Sequence, residues 1–179
     1  MTSIPFYLSH MVAEDYPSVA AIFEQGIAGG NATYDTAAAS WDDWDDKHLA
    51  VCRWVAKSEE DGRVLGWAAL SPVSSRHVFR GVAELSIYVD NEAKGMGVGN
   101  SLMQAIIGEA EEQGFWTLQS GIFPENVASV RLHEKFGFRT VGVREKIGQM
   151  SNGAWRDIIL MERRSQTVGK LGVKLIFSA

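Results

Sequence analysis

Residues 82–110 hold the pattern that most restricts what this chain can become. Val82-Ala83-Glu84-Leu85-Ser86-Ile87-Tyr88-Val89 alternates apolar and polar side chains, glycines follow at 95, 97 and 99, and Val98, Leu102, Met103, Ile106, Ile107 and Ala110 then recur at helical spacing. Successive side chains of a strand point to opposite faces, so Leu85, Ile87 and Val89 form a core face while Glu84, Ser86 and Tyr88 form a polar one. A half-buried strand that turns through glycines into an amphipathic helix, closed by Gly114, needs a sheet with helices packed on it.

The flanking segments agree. Residues 6–8 read as a short strand, and residues 14–25 as a helix carrying Val19, Ile22 and Phe23 and stopped by Gly26. Gly29-Gly30-Asn31 marks a loop, and Ser40 is the N-cap of a short acidic helix with Trp41 and Trp44 on a packing face. Residues 51–57 and 64–70 form a hairpin through Glu60-Asp61-Gly62. A strand over 116–122, a helix begun by Pro124 and Asn126 and ended at Gly137, and two strands flanking Ser151-Asn152-Gly153 complete a mixed α/β order. With 179 residues, the expectation is one domain over 1–164, with 165–179 as a C-terminal extension of unassigned role.

Charge narrows the partners. A formal net charge of −5 leaves no global basic field for nucleic acid. No Lys or Arg precedes Lys47, so the basic residues fall in the remainder, where an anion can be held locally. The single cysteine, Cys52, excludes an internal disulfide and a multi-thiolate zinc site, and its segment reads as buried strand. His10, His48 and His77 have no ligand spacing, so no metal is expected. No export signal and no membrane-spanning run is read, and a reducing cytoplasm is the expected compartment.

Lys94-Gly95-Met96-Gly97-Val98-Gly99-Asn100-Ser101 lies between strand and helix, where amides at a helix start can cradle phosphate. A P-loop needs lysine before its final Ser or Thr, and Asn100 stands there instead. The dinucleotide fingerprint has G-x-G-x-x-G, against G-x-G-x-G here, and lacks its acidic residue at the next strand end. A ligand-free glycine turn stays open on this segment alone. The segment resembles the pyrophosphate loop of the GNAT superfamily of acetyl-CoA-dependent N-acetyltransferases. The run from Phe123 to Phe138 is similar to that superfamily's next motif, with Asn126, Ser129 and His133 on one helix face. Histidine where most members have tyrosine resembles the narrower phosphinothricin N-acetyltransferase group. So do Gly66-Trp67-Ala68-Ala69-Leu70-Ser71-Pro72, Leu118-Gln119-Ser120-Gly121-Ile122 and Gly153-Ala154-Trp155-Arg156-Asp157-Ile158. The runs at 71–76 and 122–126 look closest to the arsinothricin branch.

That resemblance implies a GNAT fold, a mixed and mostly antiparallel sheet with splayed middle strands between helices, and acetyl transfer to the α-amine of a small glutamate-like or methionine-derived amino acid. It implies acetyl-CoA held by Ile87, Tyr88, Val89, Lys94, Gly95, Met96, Gly97, Val98, Gly99, Asn100, Ser101, Asn126 and Ser129. Glu84 is the expected base and His133 the expected acid, with Tyr88 as the alternative donor. The acceptor is expected to meet Tyr34, Arg76, Phe79, Glu84, Ser86 and Tyr88, with the Arg76 guanidinium on its carboxylate. Where the group carries Lys-x-Arg this chain has Ser74-Ser75-Arg76, so one cation is missing. The family's habit implies a homodimer. A protein N-terminus or polyamine as acceptor, and a silent acetyl-CoA sensor, are the competing readings.

Overall fold

A computed structural model describes residues 4–169. Seven strands form one sheet: β1 (Phe6–His10), β2 (Arg53–Ser58), β3 (Val64–Pro72), β4 (Val82–Val89), β5 (Thr117–Ile122), β6 (Arg139–Gln149) and β7 (Trp155–Arg164), in the order β1-β2-β3-β4-β5-β7-β6. Every neighbouring pair is antiparallel except β4 and β5. That parallel pair requires a crossover, which the long helix α3 (Val98–Glu112) provides.

Helices α1 (Tyr16–Ala28) and α2 (Trp41–Lys47) contribute Tyr16, Val19, Ile22 and Trp44 to one core with Val55, Trp67 and Ala69. The second core takes Val98, Leu102, Met103, Ile106 and Ala110 of α3 against Ala56, Ala68, Leu70 and Leu85, with Val130, Leu132 and Phe136 of the α4 region (Val127–Lys135) packed at its side. The central strand β3 is therefore buried on both faces, and a bulge opposite Ala56 and Lys57 shifts its alternation, so that Leu65 joins Ala68 and Leu70 in one core while Val64 joins Trp67 and Ala69 in the other. Fully burying each Leu or Ile of the α3 stripe is worth about 1.5–3 kcal/mol, so the stripe rather than helix propensity fixes α3 on the sheet.

Two expected boundaries shift for local reasons. Gly26 does not stop α1, which continues to Ala28. A Cβ at Gly26 would lie 2.9 Å from Cε1 of Tyr88, so this glycine serves close approach of helix to strand instead. β2 begins at Arg53 rather than 51 because Cys52 takes φ +59°, which breaks the extended backbone. The Ser40 hydroxyl accepts the Asp43 amide at 3.1 Å, as its N-cap reading requires. Residues 170–179, most of the expected extension, lie outside the described residues.

Candidate active site

The β4–β5 ladder pairs only Val82, Ala83 and Glu84 with Thr117, Leu118 and Gln119. Beyond it the strands part. A cleft of about 650 Å³ opens between Ile87, Tyr88 and Val89 of β4, the glycine loop, the start of α3 and α4. Gly95 and Gly97 hold φ of +78° and +88° with open space where a Cβ would stand, so the loop presents bare backbone at the head of a 15-residue helix. Met96 and Ser101 already donate to the Ala93 and Gly97 carbonyls, so the amides left to face a ligand are those of the first helical turn between them. Lys94, Arg131 and Lys135 line this cleft, and no carboxylate does among the described residues. Lys135 Nζ reaches Asn100 Oδ1 at 2.6 Å, joining α4 to α3 across it. Asn126 caps α4 by accepting the Ser129 amide at 3.1 Å. A diphosphate-bearing coenzyme fits this arrangement: exposed amides, a positive helix end and three cations.

A second cleft of about 490 Å³ lies on the α1–α2 side and shares Ser86, Tyr88, Gly121 and Phe123 with the first. Glu84, Asp35, Lys47 and His48 supply its ionisable groups, over aromatic walls of Tyr16, Phe23, Trp44 and Trp67. Tyr88 stacks on Trp67 with centroids 4.9 Å apart and meets Phe23 edge-on at 5.0 Å, so its ring is fixed where the clefts meet. Burial raises its phenol far above the ordinary range, which keeps the proton on. Glu84 is exposed and accepts Gln119 Nε2 at 3.2 Å. His48 stacks on Trp44 and donates from Nδ1 to the Trp44 carbonyl at 2.7 Å, and burial lowers its pKa so that the ring is neutral.

The model of the acetyltransferase (GNAT) family matches residues 16–138. The chain belongs to the GNAT family. It is 30% identical over 152 residues to the L-methionine sulfoximine/L-methionine sulfone acetyltransferase of Pseudomonas aeruginosa, covering 83% of this chain and 88% of that one. A GNAT phosphinothricin acetyltransferase from Sinorhizobium meliloti, solved with acetyl-CoA, superposes with a TM-score of 0.82 at 27% identity over 94% of this chain and 92% of that one. The ribosomal-protein-alanine N-acetyltransferase of Brucella melitensis gives 0.79 at 29% identity, over 89% and 99%. As a GNAT acetyltransferase, this enzyme draws its acetyl group from acetyl-CoA.

Within the GNAT framework the expected residues are distributed unevenly. Ile87, Tyr88, Val89, Lys94, Gly95, Gly97, Val98, Gly99, Asn100, Asn126 and Ser129 line the coenzyme cleft. Met96 and Ser101 are not among its lining residues. Tyr34, Glu84, Ser86 and Tyr88 line the second cleft, whereas Arg76 and Phe79 line neither. β3 ends at Pro72, and the following exposed segment turns the Arg76 guanidinium onto the Phe79 ring at 5.4 Å. His133 lines the coenzyme cleft but is 1% exposed, with Nδ1 2.8 Å from the Ser129 carbonyl and Nε2 3.0 Å from Ser120 Oγ. Both nitrogens that could carry a proton to a sulfur are thus engaged by the protein.

Sequence reasoning missed Lys47, His48, Arg131, Lys135 and Arg156. Arg131 and Lys135, four apart on α4, share one helix face roughly opposite that of Asn126, Ser129 and His133, a basic pair whose spacing was readable. Arg156 was not readable, because its guanidinium gathers Gly30 O at 2.6 Å, Asn31 Oδ1 at 2.9 Å and Glu125 Oε2 at 2.6 Å from distant segments. It also covers the Phe123 ring at 4.1 Å. With Tyr34 Oη donating to the Arg156 carbonyl at 3.0 Å, it pins the 29–39 segment as the outer wall of the second cleft.

Proposed function

We propose that this enzyme acetylates the α-amine of a small amino-acid analogue, of the phosphinothricin, methionine sulfoximine or sulfone, or arsinothricin type. One observation carries the reading: two clefts meet at Tyr88, one lined by cations without carboxylates and the other by Glu84 and Asp35 with a single lysine. The first suits the polyanionic coenzyme and the second an ammonium-bearing acceptor. The pinned 29–39 wall and a volume of about 490 Å³ favour a small acceptor over a protein N-terminus, the acceptor named for the Brucella neighbour.

An α-ammonium is largely protonated at neutral pH and must lose a proton to attack. Glu84 takes it, through water, since the carboxylate is solvent-accessible and oriented by Gln119. Backbone amides of the open β4 edge at Ile87 and Val89 hold the carbonyl oxygen. Bound acetyl-CoA supplies the thioester carbon. The proton for the departing sulfur comes from Tyr88, whose hydroxyl keeps its hydrogen, lies a long 3.4 Å from the Ala32 carbonyl and also meets the Thr33 side chain, and the proton shed by the new amide nitrogen restores the phenol. This role passes from His133 to Tyr88 because both His133 nitrogens are occupied.

The enzyme acts as a cytoplasmic homodimer in this reading, with resistance to toxic amino-acid analogues as its use. Edge strand β6 and its neighbour β7 support the dimer by exposing Val141, Val143, Ile147 and Trp155. Sedimentation equilibrium at twice 19.7 kDa is the expected result. A thiol-release assay with acetyl-CoA tests the substrate across amino-acid analogues, their α-carboxylate esters, polyamines and Ala- or Ser-started peptides. Turnover confined to free amino acids is expected; preference for peptides or polyamines overturns the acceptor, and no turnover with any overturns the enzyme reading.

A further inference from the structure

The last rung of the parallel ladder is Glu84 with Gln119, and the next residue of β5 is Ser120. Ser120 is 3% exposed, and its Oγ lies 3.0 Å from the Leu85 carbonyl oxygen and 3.0 Å from His133 Nε2. A side chain therefore continues the sheet by one rung where backbone pairing stops. A hydroxyl bridge is longer than a direct amide-to-carbonyl bond, so it ties β4 to β5 while keeping the backbones apart. Two residues further along β4, Ile87 begins the edge that lines the coenzyme cleft.

The hydrogens around His133 can be assigned. A carbonyl only accepts, so Nδ1 facing the Ser129 carbonyl carries hydrogen, and the neutral ring offers a lone pair at Nε2. The single Ser120 hydrogen thus has two acceptors at equal distance, Nε2 on α4 and Leu85 O on β4. Phe138 meets the imidazole edge-on at 4.8 Å and blocks rotation toward a different partner. Removing Oγ would take away the one hydrogen that these two buried acceptors share, and the strand fork and α4 would both relax to relieve them.

We propose that Ser120 is a positioning residue for the coenzyme: its hydroxyl locks His133 of α4 to Leu85 of β4 and so fixes the width of the fork in which acetyl-CoA is seated. His133 is its partner in that lock rather than a proton donor. The inference rests on the acetyl-CoA assignment of this cleft.

Calorimetric titration of acetyl-CoA into the wild type, Ser120→Ala and Ser120→Thr tests it. Ser120→Ala is expected to raise the Kd about tenfold, and Ser120→Thr, which restores the hydroxyl, to return it to within threefold of wild type. Where the extra methyl of threonine crowds Met161, the strand partner of Ser120, Ser120→Cys replaces it as the variant that keeps a weaker donor. Nitrogen-15 spectra of the imidazole supply a second readout: in Ser120→Ala the His133 Nε2 signal moves toward that of an unbonded lone pair while Nδ1 stays protonated. A lowered Tm with unchanged Kd makes Ser120 a packing residue and overturns the proposal, as does a hydroxyl variant that binds no better than alanine. A wild type that fails to bind acetyl-CoA overturns the cleft assignment itself.

Discussion

At the residue scale, we assign the acid to Tyr88, the alternative donor, rather than to His133 because both His133 nitrogens are engaged by the protein, and hydrogen-bond partners as well as residue type decide what a proton donor can reach. Tyr88→Phe is expected to lower kcat by about 10²-fold, the scale of a lost general acid, while the KM for acetyl-CoA stays within threefold. Steady-state kinetics under saturating acceptor check it, and an unchanged kcat returns the acid to His133. The acceptor's carboxylate raises a similar contest. Lys47 is the one Lys or Arg lining the acceptor cleft among the described residues, whereas Arg76 stacks on Phe79 outside it. Lys47→Ala is therefore expected to raise the amino-acid KM about tenfold, the scale of one charged hydrogen bond of ~1.5–3 kcal/mol. Arg76→Ala should raise it less than twofold, and the reverse ranking restores the guanidinium clamp.

At the scale of elements, the loop before α3 and the packing of α3 serve different ends. The stripe from Val98 to Ala110 is core and holds the helix, whereas the glycines hold nothing and leave room. A Cβ at Gly99 would sit 3.4 Å from Leu132 and 3.6 Å from Val89, which alanine tolerates but a branched side chain does not. Gly99→Val is expected to weaken acetyl-CoA binding at least tenfold by filling the mouth between α3 and α4, with a smaller loss of folding stability. Parallel calorimetric titration and thermal melts separate the two effects. This glycine run and the α3 stripe were legible in the sequence, since both are local patterns. The fork between β4 and β5 came only with the family resemblance and not from any local pattern, because it depends on where a parallel ladder between segments 35 residues apart runs out.

Across the whole molecule, burial sets the pH response. His48 and His133 have their pKa values lowered chiefly by burial, so the folded protein keeps both neutral, while in the unfolded chain they titrate near 6.5. The unfolded state consequently binds more protons once the pH falls below that value. The stability these neutral rings contribute is fully present above about pH 6.5 and is lost as the pH falls toward their lowered values. Scanning calorimetry from pH 8 to 5 is expected to show a flat Tm above pH 7 and a decline below 6.5, with a shallower decline in His133→Gln. An equal slope in that variant removes His133 from the titration.

Alternation in β4 and the α3 stripe determined the α/β class, while the resemblance carried by the glycine run and the Phe123–Phe138 segment pointed to the family and its coenzyme loop, because each is a periodic or contiguous pattern carried by neighbouring residues. The Ser40 cap and the Asn126 start of α4 were equally legible, each a single residue type at an element boundary. Tertiary structure alone decided which face of Gly26 mattered, that Arg156 would fasten the acceptor wall, that Arg76 would stay outside the cleft and that both nitrogens of His133 would be occupied. Those outcomes depend on side chains meeting across long sequence separations, where a difference of one hydrogen bond or one ring contact selects the partner, and no local pattern records the choice.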